Sequence, residues 1–107
     1  MAFRVEFLPR ARHDLEAIYL WLVEQAPLRG PEWLRGLERA VQSLSELPDR
    51  CVIARHLSTP SNTVRQMMYG RYPHVYKVYY HIVGQSVEIM HIRHGARRNA
   101  RRFELFD

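Results

Sequence analysis

The sequence predicts an α+β domain in which two helices fold onto an antiparallel sheet. Three observations carry this. From Tyr72 to Arg98 the chain reads YPHVYKVYYHIVGQSVEIMHIRHGARR, two apolar runs split by Gly84-Gln85. Earlier, two stretches repeat apolar residues at helical spacing and are separated by a short segment rich in proline and glycine. Near the start, Phe3-Arg4-Val5-Glu6-Phe7 alternates strictly between apolar and charged, the mark of a strand with one buried face. The predicted order is β-α-α-β-β-β, with about four strands, the last three forming an antiparallel meander.

Each element has its own signals. Pro9 sits where a helix can begin, its fixed φ suiting the first turn. From Arg10 to about Ala26, residues Ala11, Leu15, Ile18 and Leu22 form an apolar stripe. Tyr19 and Trp21 lie off its centre, and either widen the core face or face a partner. Pro27-Leu28-Arg29-Gly30-Pro31 breaks the helix. A second begins at Pro31 or Glu32, with Trp33, Leu37, Ala40, Leu44 and Leu47 as its stripe, Leu34 and Val41 beside it, and Pro48 as its stop. The short connection predicts an antiparallel helical hairpin. Trp21 and Trp33 read first as core aromatics.

Asp49 to Asn62 has no clear period, and Ser58-Thr59-Pro60-Ser61-Asn62 reads as loop. Thr63 to Tyr69 reads as a strand, with Val64, Gln66 and Met68 on one face and Arg65, Met67 and Tyr69 on the other. Arg65 would sit in a working groove or pair with Glu88 across strands. After a turn at Gly70-Arg71, Tyr76, Val78, Tyr80 and Ile82 share a face, while Lys77, Tyr79 and His81 share the opposite one. Tyr76 and Tyr80 read as core. Gly84 tolerates the positive φ that a two-residue turn requires. The returning run Val87-Glu88-Ile89-Met90-His91-Ile92 alternates poorly. That suits a central strand covered on both sides, or a bulge near Met90.

At 107 residues the chain is read as one domain spanning residues 1–107. A hydrophobic fraction of 47% argues against disorder. No apolar run approaches the roughly 20 residues of a membrane span, and charges stand where a signal peptide would be apolar, so a cytoplasmic protein without a membrane partner is expected. Cys51 is the only cysteine, which excludes an internal disulfide and a thiolate metal cluster. The net charge is +5, and of the 16 basic residues only Lys77 is lysine. A GC-rich genome would also produce this bias. The balance fits a nucleic-acid partner and an acidic protein partner equally well.

Several motifs in this order resemble the ParE/RelE superfamily of type II toxin–antitoxin toxins, on the ParE side (plasmid stabilisation proteins). Ala11-Arg12-His13-Asp14-Leu15-Glu16-Ala17-Ile18 is similar to the family's first helix. Trp33 to Leu37 and Leu44-Ser45-Glu46-Leu47-Pro48 resemble the second helix and its end. Val64-Arg65-Gln66, Gly70-Arg71-Tyr72, Val75-Tyr76-Lys77-Val78, and Val87-Glu88-Ile89 through His94-Gly95-Ala96-Arg97 follow the family's strand pattern. The match covers nearly the whole chain. Each motif alone is weak, and their order and spacing together are specific. The resemblance implies a toxin with a cognate antitoxin. The antitoxin would be disordered alone and fold over the helical hairpin and sheet edge.

The superfamily divides in function. RelE-like members cut messenger RNA on the ribosome, whereas ParE-like members poison DNA gyrase. Cleavage through a 2′-OH needs a base, cations around the phosphate and an acid for the leaving oxygen. Arg97 matches the arginine after the last strand in the RelE-like pattern. The tyrosine of that pattern falls at Phe103, which carries no proton. Its lysine pair meets Val64-Arg65-Gln66-Met67-Met68, and its third-strand arginine meets Pro73-His74. The resemblance therefore favours gyrase as target, with the ribosome and mRNA as the alternative. A third reading is a non-toxic basic binding module on the same fold. If the protein is a nuclease, the candidates are Arg97, Arg65, His74 and His94, with His81 and His91 as further possible bases. The candidate target-binding residues are Arg65, Arg93, Arg97, Arg98, Arg101 and Arg102, and the candidate antitoxin-binding residues are Tyr19, Trp21, Arg97 and Phe103. The arginine cluster is a gripping surface or a solvated tail. His94 beside Gly95 reads as structural, its ring bonded to backbone. His91 and His94 would point to opposite faces of a strand, so no metal and no cofactor are expected.

Overall fold

A computed structural model describes residues 2–71 and 74–95. The elements are β1 (Arg4–Phe7), α1 (Pro9–Gln25), α2 (Gly30–Gln42), β2 (Val52–Ile53), β3 (Val64–Arg71), β4 (His74–Val83) and β5 (Ser86–His94). Single 3-10 turns lie at Ser43–Ser45, Pro48–Arg50 and Arg55–Leu57. The α+β architecture and the β3-β4-β5 meander are as predicted. The sheet itself has five strands in the order β1-β5-β4-β3-β2.

Two features correct the expectation of about four antiparallel strands. First, β1 pairs in parallel with β5, Val5 beside Val87 and Phe7 beside Ile89. Strict alternation fixes which side chains of β1 are buried and says nothing of its neighbour's direction. Second, β2 pairs with β3 through Val52 and Ile53 alone. Two residues cannot show a period.

The bulge lies at Met90. Tyr79 pairs with His91 and Tyr80 with Ile89, so Met90 is the extra residue in β5. As a result Val87, Ile89 and Ile92 all enter the helix-side core, with Ala11, Leu37, Val41, Leu44, Met67, Tyr76, Val78 and Tyr80. Met90 joins a smaller cluster with Ala54, Leu57, Val64 and Tyr79. The segment without a period thus supplies a second apolar cover, and β5 is buried on both faces. Trp33 meets the rings of Tyr69 and Tyr76 edge-on, with centroids 5.7 and 5.2 Å apart. The Tyr80 hydroxyl donates to the Pro48 carbonyl at 2.5 Å, and burial pushes its pKa well up.

The second helix ends earlier than its stripe suggested. After Gln42 the chain tightens into the Ser43–Ser45 turn, and Leu47 is 72% exposed at φ 47°. The right-handed region is disfavoured before Pro48, and a left-handed leucine costs about 1–2 kcal/mol. Arg50 braces the turn, its guanidinium donating to the Glu46 carbonyl at 2.6 Å and to Ser43 Oγ at 2.8 Å. Leu47→Asn, which suits this conformation, is expected to raise stability by about 0.5–1 kcal/mol in urea unfolding. A lower midpoint would show that the leucine side chain contributes more than its backbone strain costs.

Candidate functional site

β1 stops at Phe7, whereas β5 runs on to His94. Beyond Ile89 the outer edge of β5 therefore has no strand beside it among the described residues. Pro9 turns the chain into α1, which packs along this edge. Two bonds stand in for the missing strand. The Leu8 amide donates to the Ile89 carbonyl at 2.9 Å, and the Ile92 amide donates to Asp14 Oδ2 at 3.1 Å.

The same Asp14 oxygen accepts from His91 Nδ1 at 2.5 Å, and Oδ1 accepts from Arg10 Nε at 3.2 Å. Burial pushes the Asp14 carboxyl up, but the His91 bond, the Ile92 amide, the His91 charge and Arg10 together hold it below its ordinary value. An ionised carboxylate only accepts, so Nδ1 must be the donor. His91 is 4% exposed and stacks on Tyr79, with centroids 6.0 Å apart. Its Nε2 is buried and has no hydrogen-bond partner among the described residues.

Beside this dyad lies a groove of about 710 Å³ between α1 and the ends of β4 and β5. Arg10, Asp14, Ala17, Ile18 and Trp21 line one wall, and His74, Tyr76, His91, Ile92, Arg93 and His94 the other. His74 and His94 meet edge-on with centroids 6.1 Å apart, and His94 lies 5.1 Å from Tyr76. Two imidazoles and a guanidinium at one mouth can bind an anion or move protons. Trp21, 50% exposed, offers an aromatic surface opposite.

The structure thus gathers His74, His94, Arg93 and Trp21 from the predicted residues. Trp21 lines the groove instead of the core, a correction that follows from its place off the α1 stripe. Tyr19 is half-buried on α1 and does not line the groove. Arg65 takes neither expected role. Its guanidinium donates to the Cys51 carbonyl at 2.8 Å, away from the groove. Glu88 bonds His81 at 2.7 Å instead, and the other nitrogen of that ring meets Asn62 at 3.0 Å. Arg97, Arg98, Arg101, Arg102 and Phe103 lie outside the described residues. No group of three metal-ligating side chains occurs among the described residues. Arg10, Asp14 and His91 were not picked out from the sequence as a unit. The available signal was an acid at position 14, inside the Ala11–Ile18 stripe, and a histidine inside an apolar run.

No described helix is long and apolar enough to cross a membrane. The sequence profile described as "ParE toxin of type II toxin-antitoxin system, parDE" matches residues 5–99. The chain is 32% identical over 95 residues to Toxin RelE1 of Caulobacter vibrioides, an alignment covering 89% of this chain and 96% of that protein. Its fold is similar to a chain of the chromosomal ParDE toxin–antitoxin system from P. aeruginosa, with a TM-score of 0.69 at 20% identity, covering 87% of this chain and 96% of that one. On the profile match and the RelE1 identity, the chain belongs to the ParE toxin family of type II toxin–antitoxin systems, within the ParE/RelE superfamily.

Proposed function

We propose that this toxin arrests growth by inhibiting DNA gyrase and is neutralised by a cognate antitoxin. The observation that carries this reading is the commitment of the groups a ribonuclease would need. Arg65 is turned onto the Cys51 carbonyl, His81 is held between Asn62 and Glu88, and His91 is tied to Asp14. β3 offers Met67 and Met68 near its middle in place of cations, and Phe103 replaces a proton donor. Arg93 and the Arg97, Arg98, Arg101 and Arg102 cluster then serve as the target-facing surface. Trp21, Tyr19 and Phe103 serve the antitoxin. Gyrase and antitoxin are both cytoplasmic in this reading.

A second reading rests on His74 and His94. Two imidazoles beside Arg93 supply a base, an acid and a cation for RNA cleavage. Mapping transcript ends in cells expressing the toxin separates the two. Gyrase inhibition predicts DNA damage without new mRNA ends. Cuts that vanish in both His74→Ala and His94→Ala would replace it with the nuclease.

The four arginines after Gly95 provide a further check. Arg97, Arg98, Arg101 and Arg102 changed together to alanine should abolish growth arrest while circular dichroism stays native. A folded variant with full toxicity would place the working surface elsewhere.

A further inference from the structure

On the other side of the helical layer, α2 and the end of β3 enclose a second concavity of about 760 Å³. Its rim carries Arg29, Arg39 and Arg71, all exposed. None of their three guanidiniums makes an ion pair or hydrogen bond with a described residue, unlike those of Arg10, Arg50 and Arg65, which are held by protein acceptors. Arg29 immediately precedes α2 and Arg39 lies in its last turn, ten positions on and roughly 15 Å along the axis. Glu32 lies between them.

The concavity is built by close approaches. A Cβ on Gly36 would collide with the Tyr69 hydroxyl, which donates to the Trp33 carbonyl at 3.0 Å. Glycine at 36 therefore lets a β3 tyrosine reach across α2. Burial raises the Tyr69 pKa, Arg39 opposes this and Glu32 adds to it, so both charges lie within electrostatic reach of the floor.

From these observations we infer that this corner is a docking site for an acidic protein segment carrying a basic residue. Three guanidiniums without a partner among the described residues select carboxylates or phosphates. Glu32 decides between them. A phosphate backbone offers only acceptors and leaves Glu32 facing like charge, whereas a peptide can set a lysine against it among its own acids. The site is separate from the α1 groove and does not depend on the target being gyrase.

The test is fluorescence anisotropy with a labelled glutamate-rich peptide containing one lysine, using the full chain. The triple variant Arg29→Gln, Arg39→Gln and Arg71→Gln should weaken binding about tenfold or more. The charge-matched variant Arg97→Gln, Arg98→Gln and Arg101→Gln should weaken it less, and removing the probe's lysine should weaken binding to the unaltered protein. Backbone amide shifts on titration should centre on Gly36 and Gly70. No binding, a larger loss in the Arg97, Arg98 and Arg101 variant, or an unchanged affinity in the Arg29, Arg39 and Arg71 variant would overturn the proposal. Displacement by a single-stranded oligonucleotide that moves the same amides would assign the corner to nucleic acid instead.

Discussion

Asp14→Ala is expected to destabilise the domain by about 3 kcal/mol. The carboxylate accepts from the Ile92 amide, His91 Nδ1 and Arg10 Nε. The first two donors are buried against the sheet and would lose their acceptor, and hydrogen bonds to a charged group are worth about 1.5–3 kcal/mol each. The total is held near the middle of that range because water can enter from the groove and Arg10 regains solvent. In a domain this size the melting temperature should fall by roughly 10–20 °C. Asp14→Asn keeps an acceptor for Ile92 and should cost less. The acid side provides a second readout. The folded-state carboxyl lies below its ordinary 3.8, so its contribution is complete above that value and is lost as pH falls through the folded value. The gap between wild type and Asp14→Ala should therefore narrow below about pH 4. A gap that stays constant into strong acid would show that the charge of Asp14 does not contribute.

Gly70→Val should be comparably damaging. Gly70 has a φ of 103°, a region closed to β-branched side chains, and its Cβ would run into the His74 carbonyl on the facing strand. Backbone strain costs about 1–3 kcal/mol, and separating the strands would also loosen the Arg71 and His74 pairing. A loss of about 3 kcal/mol in urea unfolding is expected. Gly84→Asn is the contrast. Gly84 also has positive φ, at 59°, but faces open space, and asparagine tolerates that region. It should stay within about 1 kcal/mol of wild type. Equal losses at the two glycines would mean that the clash at Gly70 is relieved by strand movement.

What could be read from the sequence was what repeats or breaks locally. The Tyr76, Val78, Tyr80 and Ile82 face is a period-2 pattern, and the broken alternation after Val87 marked the Met90 bulge. The second helix ended at Gln42, short of its stripe; Leu44 still reached the core from the following turn, whereas Leu47, before Pro48, turned outward. Long-range choices were not legible. The parallel pairing of β1 with β5 joins residues 82 positions apart at Arg4 and Ser86. The Asp14 and His91 dyad joins elements from opposite ends of the chain. Arg65 had two plausible partners by strand geometry and took a third, a carbonyl contributed by the chain just before the short β2 strand.

The most direct test of gyrase as target is supercoiling of relaxed plasmid by purified gyrase, with the folded toxin titrated in and both supercoiled and linear DNA scored. Gyrase poisoning predicts that supercoiling is lost while linear DNA accumulates, and that pre-incubation with the cognate antitoxin restores supercoiling. Unchanged supercoiling, from protein that is folded and arrests growth in cells, would contradict it and move the target to the ribosome, with His74 and His94 the first residues to replace.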